Sequence, residues 1–215
     1  MTQNGLIHNI LEQLFKFFNR KKIYSIVWYG NRKGKDIDIF VVSISNKIYE
    51  RMIKGQLDVT LIEKYQLHHL INCLNPIVTE PILTGQVIWG NPLLYEKAML
   101  NSINSGTLAV THLLDSSFRI YREAQTALSK NNVNDALINL SFSISFYYFA
   151  LHYKNHRKAI TFKELLAEYQ NSILSESYSA LKRDALDLVE VNSLVEKAKD
   201  LFIREEGDFY PLLAK

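Results

Sequence analysis

Apolar residues at Leu6, Ile7, Ile10, Leu11, Leu14, Phe15 and Phe18 recur at helical spacing, so the pattern predicts a helix over 5–19. Arg20-Lys21-Lys22 then closes it with positive charge, as the helix dipole favours. The run 23–29 is β-branched and aromatic and predicts a strand. A polar, glycine-containing turn over 30–35 follows, and then a second strand over 36–43. In 46–54, Ile48, Met52 and Ile53 fit a short helix or a strand equally well. A third strand is predicted over 56–62 and a helix over 63–74. Pro76 and Pro81 punctuate the next segment, and 86–89 reads as a last short strand before the turn Gly90-Asn91-Pro92.

Beyond Pro92 no strand pattern returns. One or two helices are expected over 93–129. The stretch 133–154 carries Ala136, Leu137, Leu140, Ile144, Tyr147, Tyr148 and Leu151 and is apolar on nearly all sides, which predicts the central helix of a bundle. Thr161-Phe162-Lys163-Glu164 is a capping box, so a helix is expected to begin near Phe162. Two more helices are expected over 177–189 and 191–206. Strands first and helices afterwards predict an α+β fold, a small mixed-sheet domain over 1–92 followed by an all-α helical bundle over 93–215.

Composition narrows the class. An apolar fraction of 47% supplies an ordinary globular core. The net charge of +3 is too small to argue for a nucleic-acid partner. The single Cys73 excludes an intrachain disulfide and a cysteine metal cage, and its apolar neighbours predict a buried structural role. No apolar run reaches the ~20 residues of a membrane span, and the N-terminus lacks the pattern of a signal peptide. A soluble, cytoplasmic protein is expected.

The chemistry is concentrated in Asp36-Ile37-Asp38-Ile39. Strand side chains alternate, so Asp36 and Asp38 project together while Ile37 and Ile39 face a core. Adjacent like charges are unfavourable unless a cation lies between them, and hard oxygen donors suit a divalent metal. A third carboxylate, Asp58, lies in the next strand-like run. Three carboxylates on neighbouring strands can clamp two magnesium ions for phosphoryl transfer. Asp36, Asp38 and Asp58 are therefore candidate metal ligands, and Asp58 is also the candidate base. In the preceding turn, Gly30 lets backbone approach a phosphate, and Asn31, Arg32, Lys33 and Lys35 are candidate nucleotide-binding residues.

On these motifs (Gly30-Asn31 after an apolar strand, then Asp36-Ile37-Asp38, then Asp58) residues 5–92 resemble the polymerase-beta-like nucleotidyltransferase superfamily, in its minimal and kanamycin-nucleotidyltransferase forms. The helical half resembles, more weakly, the bundles that follow such domains. The resemblance implies transfer of a nucleoside monophosphate from a nucleoside triphosphate, ATP foremost, to a hydroxyl acceptor such as a small antibiotic. It implies two magnesium ions, and a homodimer is compatible with it. Only Asn31 to Lys35 separate Gly30 from Asp36, where the family often places a helix. A second expectation therefore stays open: a catalytically silent, antitoxin-like module of the same fold that acts on a protein partner.

The remaining candidates read as structural. His68 and His69 are expected at a helix surface. His152 and His156 stand at i and i+4, a spacing that can bind zinc, but the sequence shows no third ligand. The cluster Phe142, Phe146, Tyr147, Tyr148 and Phe149 is expected in the bundle core. Asp115, Glu123 and Asp135 are acidic residues able to meet a cationic acceptor, none of them singled out.

Overall fold

The computed structural model describes residues 3–30, 37–44, 50–54, 56–103, 106–156, 158–183 and 187–213, with side chains except at 3, 50–54 and 204–213. The chain divides into two compact units, Met1–Ile103 and Asn104–Lys215.

The first unit opens with α1, Gln3–Phe17, and a 3-10 turn, Arg20–Lys22, capped by the Asn19 side chain. Strands β1 (Ile23–Tyr29), β2 (Ile37–Ser43), β3 (Glu50–Lys54) and β4 (Leu57–Glu63) follow. Helices α2 (Lys64–Asn72) and α3 (Pro76–Thr84), strand β5 (Gln86–Gly90) and helix α4 (Leu94–Ser102) complete the unit. The five strands lie in the order β3-β4-β2-β1-β5. Only β2 and β4 run parallel; the other neighbours are antiparallel, so the sheet is mixed.

Alternation gives the sheet two faces. Ile26 and Trp28 of β1, Ile39 and Val41 of β2, and Leu57, Val59 and Leu61 of β4 form one core with Ile10 and Leu14 of α1. Phe40 and Val42, of opposite parity in β2, are fully buried, as are Ile62 of β4, Leu67 and Ile71 of α2 and Val78 of α3. Helices α2 and α3 pack on β2, β4 and β1. The sheet is thus covered on both faces, which is why β2 and β4 are apolar at both parities apart from Asp38, Ser43, Asp58, Thr60 and Glu63.

The structure differs locally from the sequence pattern in three places. The ambiguous stretch 46–54 contains strand β3, paired antiparallel with β4. The two prolines at 76 and 81 do not interrupt a loop but lie in α3. Asn75 caps that helix by accepting from the Ile77 N–H at 3.0 Å, and Pro76 sits in its first turn, where a missing N–H costs nothing. Finally, the predicted helix over 177–189 is not formed as such: α8 spans Ile173–Leu181, starts after Ser172, and the next helix begins at Leu188.

In the second unit α5 (Thr107–Ser129) and α6 (Val133–Asn155) form an extensively packed pair, followed by α7 (Phe162–Glu168), α8 and α9 (Leu188–Leu213). Ser117 and Ser143 let α5 and α6 approach closely, each hydroxyl donating to the other's carbonyl at 2.8 and 2.9 Å. Helix α6 contacts α5, α7, α8 and α9 and is buried on all but a narrow stripe. That stripe includes Asp135, Ile138 and Phe142, so Phe142 is exposed, whereas Phe146, Tyr147, Tyr148 and Phe149 are in the core. No helix among the described residues is long and apolar enough to cross a membrane.

Candidate functional site

The β2–β4 register decides where the carboxylates meet. Asp38 is the direct partner of Asp58 across the parallel pair. In-register residues of neighbouring strands point to the same face, with their backbones about 4.8 Å apart. Both carboxylates therefore leave the sheet on the side of Phe40, Val42 and Ile62, opposite the core shared with α1. Asp38 and Asp58 are half-buried, whereas Phe40 and Ile62, further along the same face, are fully buried. The pair thus stands at the rim, where the apolar cover ends. On the other side of Asp38, Tyr29 is its partner in β1. The row Tyr29–Asp38–Asp58 crosses three strands at one end of the sheet.

Gly30 is built into this row. Its φ of +75° lies in the left-handed region, and a Cβ placed on it would come within 2.0 Å of Asp38 Oδ2. The Asp38 carboxylate therefore lies against the Gly30 backbone, a position no other residue type leaves room for. Of the predicted site residues, Gly30, Asp38 and Asp58 are brought together. Asn31, Arg32, Lys33, Lys35 and Asp36 lie outside the described residues.

Two carboxylates at strand spacing repel, when both are ionised, by an energy on the order of 3 kcal/mol at an effective dielectric of ~20. A cation between them reverses the sign, and oxygen-only donors fit a hard ion such as magnesium. Asp38 and Asp58 are the described residues suited to hold one.

Other acidic groups of the first unit have different surroundings. Glu63, at the far end of β4, and Glu96, in the first turn of α4, are almost wholly buried. The Tyr24 hydroxyl donates to Glu96 Oε1 at 3.5 Å, and His68 Nε2 stands 3.7 Å from the same oxygen. Burial and then the Glu96 charge push the Tyr24 hydroxyl upward. His68 is thus half-covered by α4 and not a plain surface residue. Glu63 lies five positions beyond Asp58, roughly 16 Å along the strand, which sets this group apart from the aspartate row. No sequence pattern announces Glu96, because it lies in a helix whose face only the fold determines. Cys73 is fully buried and desolvation pushes its thiol up, so it stays a packed, protonated side chain.

In the second unit, Glu123 pairs with Arg119 at 2.9 Å and Asp135 accepts from the Asn132 amide at the start of α6. These two acids serve their own helices. A polar groove of about 580 Å³ runs past Ser175, Ser179 and Ser193, and its charges are paired, Arg183 with Glu190 and Lys197 with Glu176.

No family profile matches the chain, and no curated protein is similar to it. The chain is similar to a nucleotidyltransferase-like protein from Exiguobacterium sibiricum 255-15, known from a crystal structure, at 11% identity and a TM-score of 0.45. The likeness covers 99% of this chain and 78% of the other. A likeness at that level establishes no activity, so function has to be argued from the chain's own geometry.

Proposed function

We propose that the first unit is a metal-dependent nucleotidyltransferase that moves a nucleoside monophosphate from a nucleoside triphosphate to a hydroxyl acceptor. The observation that carries this is the Asp38–Asp58 pair, in register on parallel strands, with the Gly30 turn closed against Asp38. Asp36, two residues before Asp38, is assigned to the same ligand set from sequence alternation. When bound, magnesium supplies neutralisation of the phosphate charge and alignment of the entering and leaving oxygens. Asp36, Asp38 and Asp58 would hold it. The turn from Gly30 through Asn31, Arg32, Lys33 and Lys35 receives the phosphates. The acceptor oxygen attacks the α-phosphorus, the bond to the leaving pyrophosphate breaks, and the hydroxyl proton passes to Asp58. ATP, a small hydroxyl acceptor and a cytoplasmic setting belong to this reading. So does a homodimer.

Isothermal calorimetry with magnesium and each of ATP, GTP, CTP and UTP tests it. Binding of at least one nucleotide is expected, dependent on magnesium and abolished by Asp38→Asn and by Asp58→Asn. A wild-type chain that binds none of them up to about 1 mM, the weak end of usual enzyme–substrate affinities, sinks the enzyme reading. That outcome favours the silent module, for which the five-residue link from Gly30 to Asp36 is the supporting feature.

A further inference from the structure

The end of α6 and the end of α7 bring together a second set of donors that the aspartate row does not use. His152 lies in the last turn of α6 and His156 is the residue that caps the helix, their rings stacked with centroids 4.7 Å apart and 27° between planes. Glu168, the last residue of α7, places Oε2 2.8 Å from His152 Nδ1. One donor atom from each of His152, His156 and Glu168 lies within 4.8 Å of the others. We propose that these three residues form a binding site for a divalent transition-metal ion, zinc by the chemistry of the donors.

Two imidazoles and one carboxylate are a recurrent three-ligand zinc set that leaves the fourth position to water. Imidazole donors favour zinc, copper and nickel over magnesium, so this site and the aspartate pair select different ions. With zinc–ligand bonds of ~2.0–2.1 Å, donors around a tetrahedron stand roughly 3.3 Å apart. The donors, within 4.8 Å of one another, have to close by at most about 1.5 Å to reach that. His152 is buried, while His156 and Glu168 are exposed, so one ligand is fixed and the ion has a way in from solvent. The buried Nε2 of His152 has no partner among the described residues, which leaves Glu168 to orient the ring. A proton shared between His152 and Glu168 occupies the position that the metal takes, and the ion ties the end of α6 to the end of α7.

The test uses the full-length chain, stripped with a chelator and titrated with zinc alone, and does not depend on the nucleotidyltransferase reading. Wild type is expected to bind one equivalent at this site and to melt at a higher temperature with zinc present. His156→Ala and Glu168→Gln, both at exposed positions, are expected to keep the circular dichroism of the wild type and to weaken zinc binding by about 100-fold or more, beyond the 10–100-fold typical of losing an outer partner. Cobalt in place of zinc gives the visible bands of a four- or five-coordinate ion in wild type and loses them in both variants. A wild type that binds no zinc, or variants that bind it as tightly as wild type, overturns the proposal.

Discussion

Gly30 carries the sharpest residue-scale consequence of the fold. At φ +75° any side chain there is strained by ~1–2 kcal/mol. A Cβ would also displace the Asp38 carboxylate it collides with. Gly30→Ala is therefore expected to lower the melting temperature modestly and to weaken magnesium-nucleotide binding by about 10–100-fold, as when an outer partner of a metal ligand is lost. Calorimetry and a thermal melt on the same preparation check it. An alanine variant that binds nucleotide as well as wild type would mean that the contact with Asp38 has no bearing on the site. At this scale much was legible. Strand alternation foretold that Asp38 leaves the Ile37–Ile39 face, and Asp58 falls beside Asp38 because a seven-residue register, Ile37 to Ser43 against Leu57 to Glu63, aligns them. What sequence could not foretell was the direct contact of Gly30 with Asp38, which depends on the pairing of β1 with β2. Nor could it supply Glu168 as the third partner of His152 and His156, since a loop and a whole helix intervene and no short spacing announces it.

Among the elements, legibility tracked how local the determining interactions are. The capping box of α7 was readable because its partners are three residues apart. Thr161 N–H and hydroxyl both donate to Glu164 Oε2, at 2.7 and 2.8 Å, and the Glu164 N–H returns to the Thr161 hydroxyl at 3.3 Å. The Thr161 backbone N–H first, and its hydroxyl second, hold the Glu164 carboxyl below its usual range. A carboxyl depressed in the folded chain stabilises the fold above its unfolded value near pH 4.3 and loses that contribution as pH falls through the folded value. Thr161→Ala is thus expected to cost about 1 kcal/mol near neutral pH, with a smaller difference from wild type once Glu164 is protonated. Denaturant melts of both chains at neutral and strongly acid pH measure it, and an equal gap at both would contradict a contribution from the bond between the Thr161 hydroxyl and the Glu164 carboxylate. Helix α3 shows the opposite case. Local propensity reads Pro76 and Pro81 as breaks, yet Val78, Thr79, Pro81 and Ile82 are buried where the helix packs on β1. Tertiary burial outweighs the cost of an internal proline there. Strand β3 was ambiguous for the same reason: only its antiparallel pairing with β4 fixes what 50–54 become.

For the molecule as a whole, the order of strands then helices was enough to foretell an α+β unit and a helical bundle, because period-2 and period-3.6 patterns seldom imitate each other over such lengths. Strand order was not foretold: placing β4 between β3 and β2 is a choice among topologies that alternation alone leaves equal, and it is the choice that unites Asp38 with Asp58. The two units each have their own core and, by chance, their own reporter. Both tryptophans, Trp28 and Trp89, lie in the sheet of the first unit, whereas most helix belongs to the second. Leu140, fully buried in α6, and Ile39, fully buried in β2 against α1, are matched probes of the two cores. Truncating either to alanine is expected to cost about 2–5 kcal/mol. Leu140→Ala should lower the midpoint seen by far-ultraviolet circular dichroism, and Ile39→Ala the midpoint seen by tryptophan fluorescence. A dichroism midpoint unmoved by Leu140→Ala would contradict the central place of α6. A fluorescence midpoint unmoved by Ile39→Ala would contradict the α1-side core, and with it the face assignment that sends Asp38 and Asp58 to the opposite side of the sheet.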